Sequence, residues 1–283
     1  MKNITIVFFG SFQSYSTQVL EALVKHFSVI AVITTPPKPQ GRHMKLTPTP
    51  VEQYARTHKL AVFTPESLEN IPKELTRPDF IVVSGYGKLI PSHWLDFPMI
   101  MSVNLHQSLL PYYRGAFPGE WAILHKEKKT GVTLVKMSSE FDKGKILAQR
   151  ALSIEPDDTR ETLYRKLYDL GANLLVEYLP KIARNEITPI PQPQGTFFYA
   201  RKITREDGFI PAKEFSEILT NDPMKLDIKL RAFASWPGVW TTISIKGKEK
   251  RLKLIALTPD IMVQLEGKKP IPFLQFSSTY LSP

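Results

Sequence analysis

The sequence predicts an α/β protein, with a mostly parallel β-sheet in its first part and a smaller antiparallel β-barrel in its second. An apolar run at residues 4–9, a helix-periodic segment at 17–27 and a β-branched run at 29–33 form the pattern of a βαβ unit. Beyond residue 238, short β-type runs instead alternate with turns rich in Lys, Gly and Pro. The length of 283 residues also favours one large and one small domain.

Three further apolar runs extend the predicted sheet. They cover residues 80–83, 100–105 and 132–135 and do not alternate with polar residues, as expected for strands that are buried on both faces of a parallel sheet. The turn after the first run contains the single glycine Gly10, so the GxGxxG fingerprint of dinucleotide binding is absent. We therefore expect a Rossmann-like domain that binds neither NAD nor FAD.

A capped amphipathic helix is predicted after the last of these strands. Asp158 is followed three residues later by Glu161, which is typical of a capping box at a helix N-terminus. The apolar residues that recur at helical spacing are Leu163, Leu167, Leu170 and Leu174.

A proline-rich segment separates the two predicted domains. Every second residue from 189 to 193 is proline, a composition that favours an extended, semi-rigid connection. The β-type runs beyond it cover residues 239–245, 252–257 and 261–265, which is typical of a small OB-like barrel. We therefore predict a first domain at residues 1–188, a linker at 189–203 and a C-terminal β-barrel domain at 204–283.

The composition excludes some chemistry and favours certain partners. The chain has no cysteine, which excludes disulfides, thiolate catalysis and Cys-ligated metals. Its net charge of +10 favours a polyanionic partner, although many basic enzymes never bind nucleic acid. No apolar segment approaches the length of a membrane span, and the first residues lack a signal-peptide cleavage site. We expect a soluble cytoplasmic protein that does not bind a membrane.

Asn104 and His106 form the first candidate site. They are separated by one residue at the end of a predicted strand, so their side chains leave the same face of the sheet. Pro111 forces the chain to turn soon afterwards. By itself, an Asn-x-His pair at a strand end is more typical of a satisfied hydrogen-bonding pair than of a catalytic site.

The residues around this pair match a known signature. Residues 104–115, NLHQSLLPYYRG, together with Asp142 in EFDKG, closely resemble the NxH-xSLLPxxxG signature of the folate-dependent formyltransferase family. The chain departs from the family pattern at Gln107 and at Gly119-Glu120. Neither departure removes the three polar groups of the signature.

The resemblance implies a chemistry and a donor. Formyl transfer from 10-formyltetrahydrofolate to an amine would use Asn104 and protonated His106 to stabilise the oxyanion, while Asp142 orients the imidazole, favours its charged form and relays a proton. No metal is required. Residues 85–91, GYGKLIP, resemble a further wall of the folate pocket, or are simply a packed loop. The residues expected to contact folate are Ser108, Leu109, Leu110 and Pro111.

A second resemblance concerns the acceptor. Residues 35–50, TPPKPQGRHMKLTPTP, resemble an insertion loop found in the branch of the family that formylates methionyl initiator tRNA for translation initiation, and YARKITRED at 199–207 resembles the start of the second domain in the same branch. A loop of this length beside a site argues for function. The residues expected to contact tRNA are Lys38, Arg42 and Lys45 in the loop, and Lys248 and Lys250 in a predicted hairpin of the second domain.

Two alternatives stay open at this stage. The same chemistry could act on an amino sugar nucleotide or on another phosphorylated amine, although the basic loop counts against that acceptor. A non-catalytic RNA-binding module would explain the positive charge, but it would not require Asn104, His106 and Asp142 together.

Overall fold

The computed structural model describes residues 4–40 and 44–280 and divides them into two compact units. The first unit holds the described residues up to Pro118, together with Lys129–Ser153 and Tyr164–Ala200. The second holds Gly119–Lys128, Ile154–Leu163 and the described residues from Arg201 onward. The proline-rich segment therefore belongs to the first unit as far as Ala200. None of the helices in these residues is both long and apolar enough to cross a membrane.

Eleven strands of the described chain lie in the first unit, and seven of them form one large sheet. They are β1 (Thr5–Phe9), β2 (Ser28–Ile33), β3 (Lys38–Gln40), β4 (Lys45–Thr47), β5 (Val62–Phe63), β6 (Phe80–Val83), β7 (Met101–His106), β8 (Arg114–Gly115), β9 (Lys129–Lys136), β10 (Ile146–Ser153) and β11 (Tyr199–Ala200). The order in the large sheet is β10-β9-β7-β6-β1-β2-β5. β3 pairs with β4, and β8 pairs with β11.

The large sheet is mostly parallel, as the sequence predicts. β5, β2, β1, β6 and β7 pair in parallel, whereas β9 and β10 are antiparallel. From β1 the chain continues first to β2 on one side and later to β6 on the other, so a topological switch point lies at the carboxyl ends of β1 and β6. The loops that follow these two strands meet there, because the Ser11 backbone N–H donates to the Gly85 carbonyl at 3.0 Å.

Five helices accompany the sheet or follow it. They are α1 (Gln13–His26), α2 (Pro50–Thr57), α3 (Ser92–Leu95), α4 (Pro118–Leu124) and α5 (Arg160–Ala183). In α1, Tyr15, Val19 and Leu23 recur every fourth residue and are buried, which explains why this segment is helical. The helix begins at Gln13, four residues before the predicted start.

The N-terminus of α5 is capped one residue later than predicted. The Thr162 backbone N–H donates to Thr159 Oγ1 at 3.3 Å, whereas the Asp158 carboxylate accepts from the Glu155 backbone N–H and from the Thr162 hydroxyl, both at 2.8 Å. Asp158 therefore stabilises the turn before the helix, and Thr159 is the N-cap residue.

The second unit contains a four-stranded antiparallel sheet, which confirms the change of pattern in the sequence. In order along the sheet, its strands are β12 (Val239–Ile245), β13 (Lys248–Ala256), β14 (Met262–Leu265) and β15 (Ile271–Pro272). Lys246 and Gly247 both have positive φ and join β12 to β13 in a two-residue hairpin. In the described residues from Arg201 onward, the α-helices of this unit are α6 (Ala212–Asn221), α7 (Asp227–Ala232) and α8 (Phe273–Tyr280). The unit also holds most of α4 and the first residues of α5.

An ion pair fixes the first turn of this unit. Arg201 Nη1 lies 2.9 Å from Asp207 Oδ2, and the Thr204 backbone N–H donates to the same carboxylate oxygen at 2.7 Å. The hydrogen bond from Arg201 is the main cause of a lowered pKa at Asp207, and together with the bond from Thr204 it lowers this pKa to about 2.

Candidate active site

The structure brings Asn104, His106 and Asp142 together within the first unit. β7 lies between β6 and β9, with Asn104 opposite Val83 of β6 and His106 opposite Thr133 of β9. The Asn104 amide nitrogen is 3.4 Å from Asp142 Oδ1, and His106 Nδ1 is 3.6 Å from the same oxygen. A neutral amide, an imidazole and a carboxylate thus share one small space at the carboxyl end of β7.

The hydrogen bond on the far side of the imidazole identifies which ring nitrogen carries a proton. His106 is buried, and its Nε2 lies 3.0 Å from the Tyr113 carbonyl oxygen. A carbonyl can only accept a hydrogen bond, so Nε2 is protonated. Nδ1 is then the atom that faces Asp142 and Asn104. It is therefore also the ring atom that can gain or lose a proton at the site.

The Asp142 carboxylate is held from one side. Its Oδ2 accepts the Gly115 backbone N–H at 2.9 Å, which leaves Oδ1 to face Asn104 and His106. Asp142 has a φ of +53°, in the left-handed region that few residues other than glycine adopt. Aspartate tolerates this conformation better than most residues other than glycine, and the contacts around the turn maintain it.

The turn at Ser108–Pro111 is fixed by two residues that the sequence did not identify. Thr133 Oγ1 donates to the Ser108 carbonyl at 2.6 Å and accepts the Leu110 backbone N–H at 3.1 Å. Gln149 Nε2 donates to the Leu110 carbonyl at 2.8 Å and also contacts Thr133 Oγ1 at 2.9 Å. These polar groups of the turn are therefore satisfied by the protein, and its remaining surface includes the half-buried Leu109.

The departures from the family signature are accommodated locally. Gln107 is buried, and its Nε2 donates to the Leu105 carbonyl at 3.0 Å. Glu120 is also buried and pairs with the buried Arg160 within the second unit. Each polar side chain thus has a partner, as burial of polar groups requires.

The carboxyl edge of β6 offers groups that a ligand could satisfy. Ser84 and Tyr86 are buried, and their hydroxyl oxygens have no hydrogen-bond partner among the described residues. Burial raises the pKa of Tyr86 to about 12, so this hydroxyl stays protonated and can donate. Hydroxyl groups without a partner could pair with the donor and acceptor edge of a pterin.

Four of the five basic residues expected to contact tRNA lie on two described hairpins. Lys38 and Lys45 are exposed and point to the same face of the β3–β4 hairpin, where the sequence predicted a loop. Arg42 lies outside the described residues. In the second unit, Lys248 is exposed and Lys250 is half-buried on β13.

Sequence reasoning also missed Gln192, which lies 2.7 Å from the Asp142 carbonyl and 2.6 Å from the Arg114 guanidinium. The sequence offered one hint of its importance, because Gln192 lies between Pro191 and Pro193 in the segment predicted to be a linker.

The chemistry of Asn104, His106 and Asp142 fits one class of protein. An amide donor and an imidazole at the carboxyl end of a parallel strand, beside a carboxylate, are groups of the kind that an α/β enzyme needs to stabilise an oxyanion and to move a proton. Such a site suits transfer of a group at the carbonyl oxidation level.

Comparison with known proteins identifies the family. The formyl transferase family model matches residues 2–179, and the chain belongs to this family. It is 38% identical to methionyl-tRNA formyltransferase from Dictyoglomus thermophilum, over 97% of this chain and 96% of that protein. It is also 38% identical to methionyl-tRNA formyltransferase from Enterococcus faecalis, over 90% of this chain and 79% of that protein.

Solved structures support the fold. A sugar N-formyltransferase from Shewanella superposes with a TM-score of 0.64 at 15% identity, covering 89% of this chain and 98% of that one. HypX from Aquifex aeolicus, solved with tetrahydrofolic acid, has a TM-score of 0.62 at 19% identity, covering 90% of this chain and 38% of that one. At these identities the similarity extends to the fold alone.

Proposed function

We propose that this protein transfers the formyl group of 10-formyltetrahydrofolate to the α-amino group of methionyl initiator tRNA, in the cytoplasm. The observation that carries the proposal is the convergence of His106 Nδ1 and the Asn104 amide on one oxygen of Asp142. The relatives named methionyl-tRNA formyltransferase support this acceptor, because the alignment with one of them covers nearly its whole length.

The reaction makes one bond and breaks another. The uncharged amine of the methionine attacks the formyl carbon, a C–N bond forms, and the bond from that carbon to N10 of the folate breaks. One proton leaves the attacking nitrogen and one reaches N10, so protons are conserved. The oxygen on the formyl carbon carries negative charge in the transition state, and preorganised donors stabilise such charge most effectively.

Each polar side chain has a role in this reaction. The contact from the Asn104 amide to Asp142 is long, at 3.4 Å, so the amide can exchange it for a stronger hydrogen bond to the oxyanion. Because His106 Nε2 is bonded to the Tyr113 carbonyl, Nδ1 donates to the reacting groups. Asp142, 3.6 Å from Nδ1, stabilises the imidazolium and passes on the amine proton, directly or through water.

The two substrates bind through different parts of the chain in this proposal. Folate binds at Ser108, Leu109, Leu110 and Pro111, with the Ser84 and Tyr86 hydroxyls available as further partners. We assign catalysis to residues 1–188 and tRNA binding largely to 204–283, with 189–203 between them. The tRNA phosphates would contact Lys38, Arg42, Lys45, Lys248 and Lys250.

Comparison of three acceptors tests the proposal. Purified protein with 10-formyltetrahydrofolate should formylate charged initiator tRNA and should leave uncharged tRNA, the matched control, unmodified. An amino sugar nucleotide should react far more slowly. Faster formylation of the sugar nucleotide than of the tRNA would show that the amino sugar nucleotide is the acceptor. Binding of tRNA without any formyl transfer would favour the non-catalytic RNA-binding module.

A further inference from the structure

The proline-rich segment packs against two parts of the first unit, which are the turn that carries Asp142 and leads into β10, and strand β8. At one end, the backbones of Ile190 and Ile146 exchange two hydrogen bonds of 2.7 and 2.8 Å. At the other end, β11 pairs in parallel with β8, and the Ala116 N–H donates to the Ala200 carbonyl at 2.8 Å. Gly115 permits this approach, because a Cβ at its φ of +118° would lie 2.4 Å from the Ala200 oxygen. Residues 190–200, called the strap below, therefore extend from the start of β10 to β8.

One side chain of the strap contacts both the Asp142 turn and β8. Gln192 Nε2 donates to the Asp142 carbonyl at 2.7 Å and to the Gly144 carbonyl at 2.8 Å. Gln192 Oε1 accepts from Arg114 Nε at 3.0 Å and from Arg114 Nη2 at 2.6 Å. The carboxamide thus uses two donors and two acceptor positions, which is its full capacity. A side chain in the middle of a simple linker would not be committed in this way.

The turn that Gln192 contacts is the one that needs support. The Asp142 backbone has a φ of +53°, and Gly144 packs so closely on Lys136 that a Cβ would overlap the Lys136 carbonyl oxygen. The Asp142 carboxylate in turn accepts from Gly115, the residue after Arg114. Gln192 therefore joins the backbone that carries Asp142 to the strand that holds its carboxylate.

We propose that Gln192 is a positioning residue, which keeps the Asp142 turn in the conformation that presents the carboxylate to His106 and Asn104. This inference goes beyond the proposed function and rests on it only for the effect on reaction rate. Small displacements of a catalytic group are costly, since about 1 Å can lower a rate by about 10²-fold. Gln192→Leu removes all four hydrogen bonds, and Gln194→Leu, at an exposed position two residues further on, is the matched control.

The kinetic arm of the test is a double-mutant cycle with Asp142→Asn. Gln192→Leu should lower the single-turnover rate at saturating substrates by about 10- to 100-fold, with KM changed by less than about threefold. In the Asp142→Asn background the same substitution should cost less than about threefold, because the carboxylate through which it acts is already absent. An equal loss in both backgrounds would overturn the proposal. Gln194→Leu should stay within about twofold of the parent in both.

The second arm does not depend on turnover. Hydrogen exchange should speed up at least about tenfold at the Gly115 amide of Gln192→Leu, because that N–H donates to Asp142. The Ala116 amide, which donates to Ala200 within the strap, should change much less. Unchanged exchange at Gly115, or equal acceleration at Gly115 and Ala116, would overturn the positioning role even if no formyl transfer is found. If Gln192→Leu does not fold, Gln192→Glu, which keeps an acceptor for Arg114, replaces it in both arms.

Discussion

Replacing Asp142 by asparagine removes one negative charge at the site and changes almost no volume. The side chains of His106 and Asp142 are only 5% and 12% exposed, so solvent screens their interaction weakly. At the 3.6 Å that separates Nδ1 from Oδ1, an effective dielectric constant of about 20 gives an attraction of about 4–5 kcal/mol. Loss of this attraction disfavours the protonated His106 that donates to the oxyanion, and it lowers the rate by about 10³-fold, within the range for acid–base groups.

The assay is the single-turnover rate of formyl transfer with both substrates saturating, so that binding does not contribute. The asparagine carbonyl can still accept the Gly115 N–H, and we expect the thermal midpoint of Asp142→Asn to stay within about 3 °C of the parent. Asp157→Asn, at an exposed position, is the matched control and should leave the rate unchanged. A rate for Asp142→Asn within a few fold of the parent, or a loss confined to KM, would refute this electrostatic reasoning.

Three further predictions test other parts of the account. Asn104→Ala should lower the single-turnover rate by about 10²- to 10³-fold, as expected for one oxyanion donor; a normal rate would exclude this side chain from the mechanism. Glutamate at both Lys248 and Lys250 should weaken tRNA binding and reduce the slope of log affinity against log salt by about 1 for each phosphate that the protein no longer neutralises; an unchanged slope would exclude this hairpin as an RNA surface. Asp207→Asn should lower the free energy of unfolding at pH 7 by about 1 kcal/mol, after allowance for the half-exposed Arg201. Because the pKa of Asp207 is lowered to about 2, that difference should disappear as the pH falls from about 4 toward 2; a constant difference in urea unfolding across this range would contradict it.

Much of the sheet could be predicted because its strands are short apolar runs bounded by polar residues. The run at 100–105 is observed as Met101–His106, and the run at 132–135 lies within Lys129–Lys136. The two-residue periodicity of a strand also predicted that Asn104 and His106 share one face. The β3–β4 hairpin was missed because two three-residue strands, one with a central proline, leave no periodic signal.

The rest of the site depends on contacts between distant residues. Gln192 is 50 residues from Asp142 and 78 from Arg114, and no local pattern specifies such pairings. The sequence predicted an extended segment there, but its place on the first unit depends on Gly115, which has no side chain to block β11. Likewise, a threonine within a β-strand gives no sign that its hydroxyl will bind the Ser108–Pro111 turn, as Thr133 does.

The central claim is that a protonated imidazole held at the end of β7 beside Asp142 stabilises the oxyanion that forms during formyl transfer to methionyl initiator tRNA. The most direct test compares the parent protein with His106→Ala in a single turnover on charged initiator tRNA, with enzyme and 10-formyltetrahydrofolate saturating. We predict that the parent forms formylmethionyl-tRNA and that the variant, folded and binding both substrates, is slower by about 10²- to 10⁴-fold. Formylation by His106→Ala within a few fold of the parent would contradict the account.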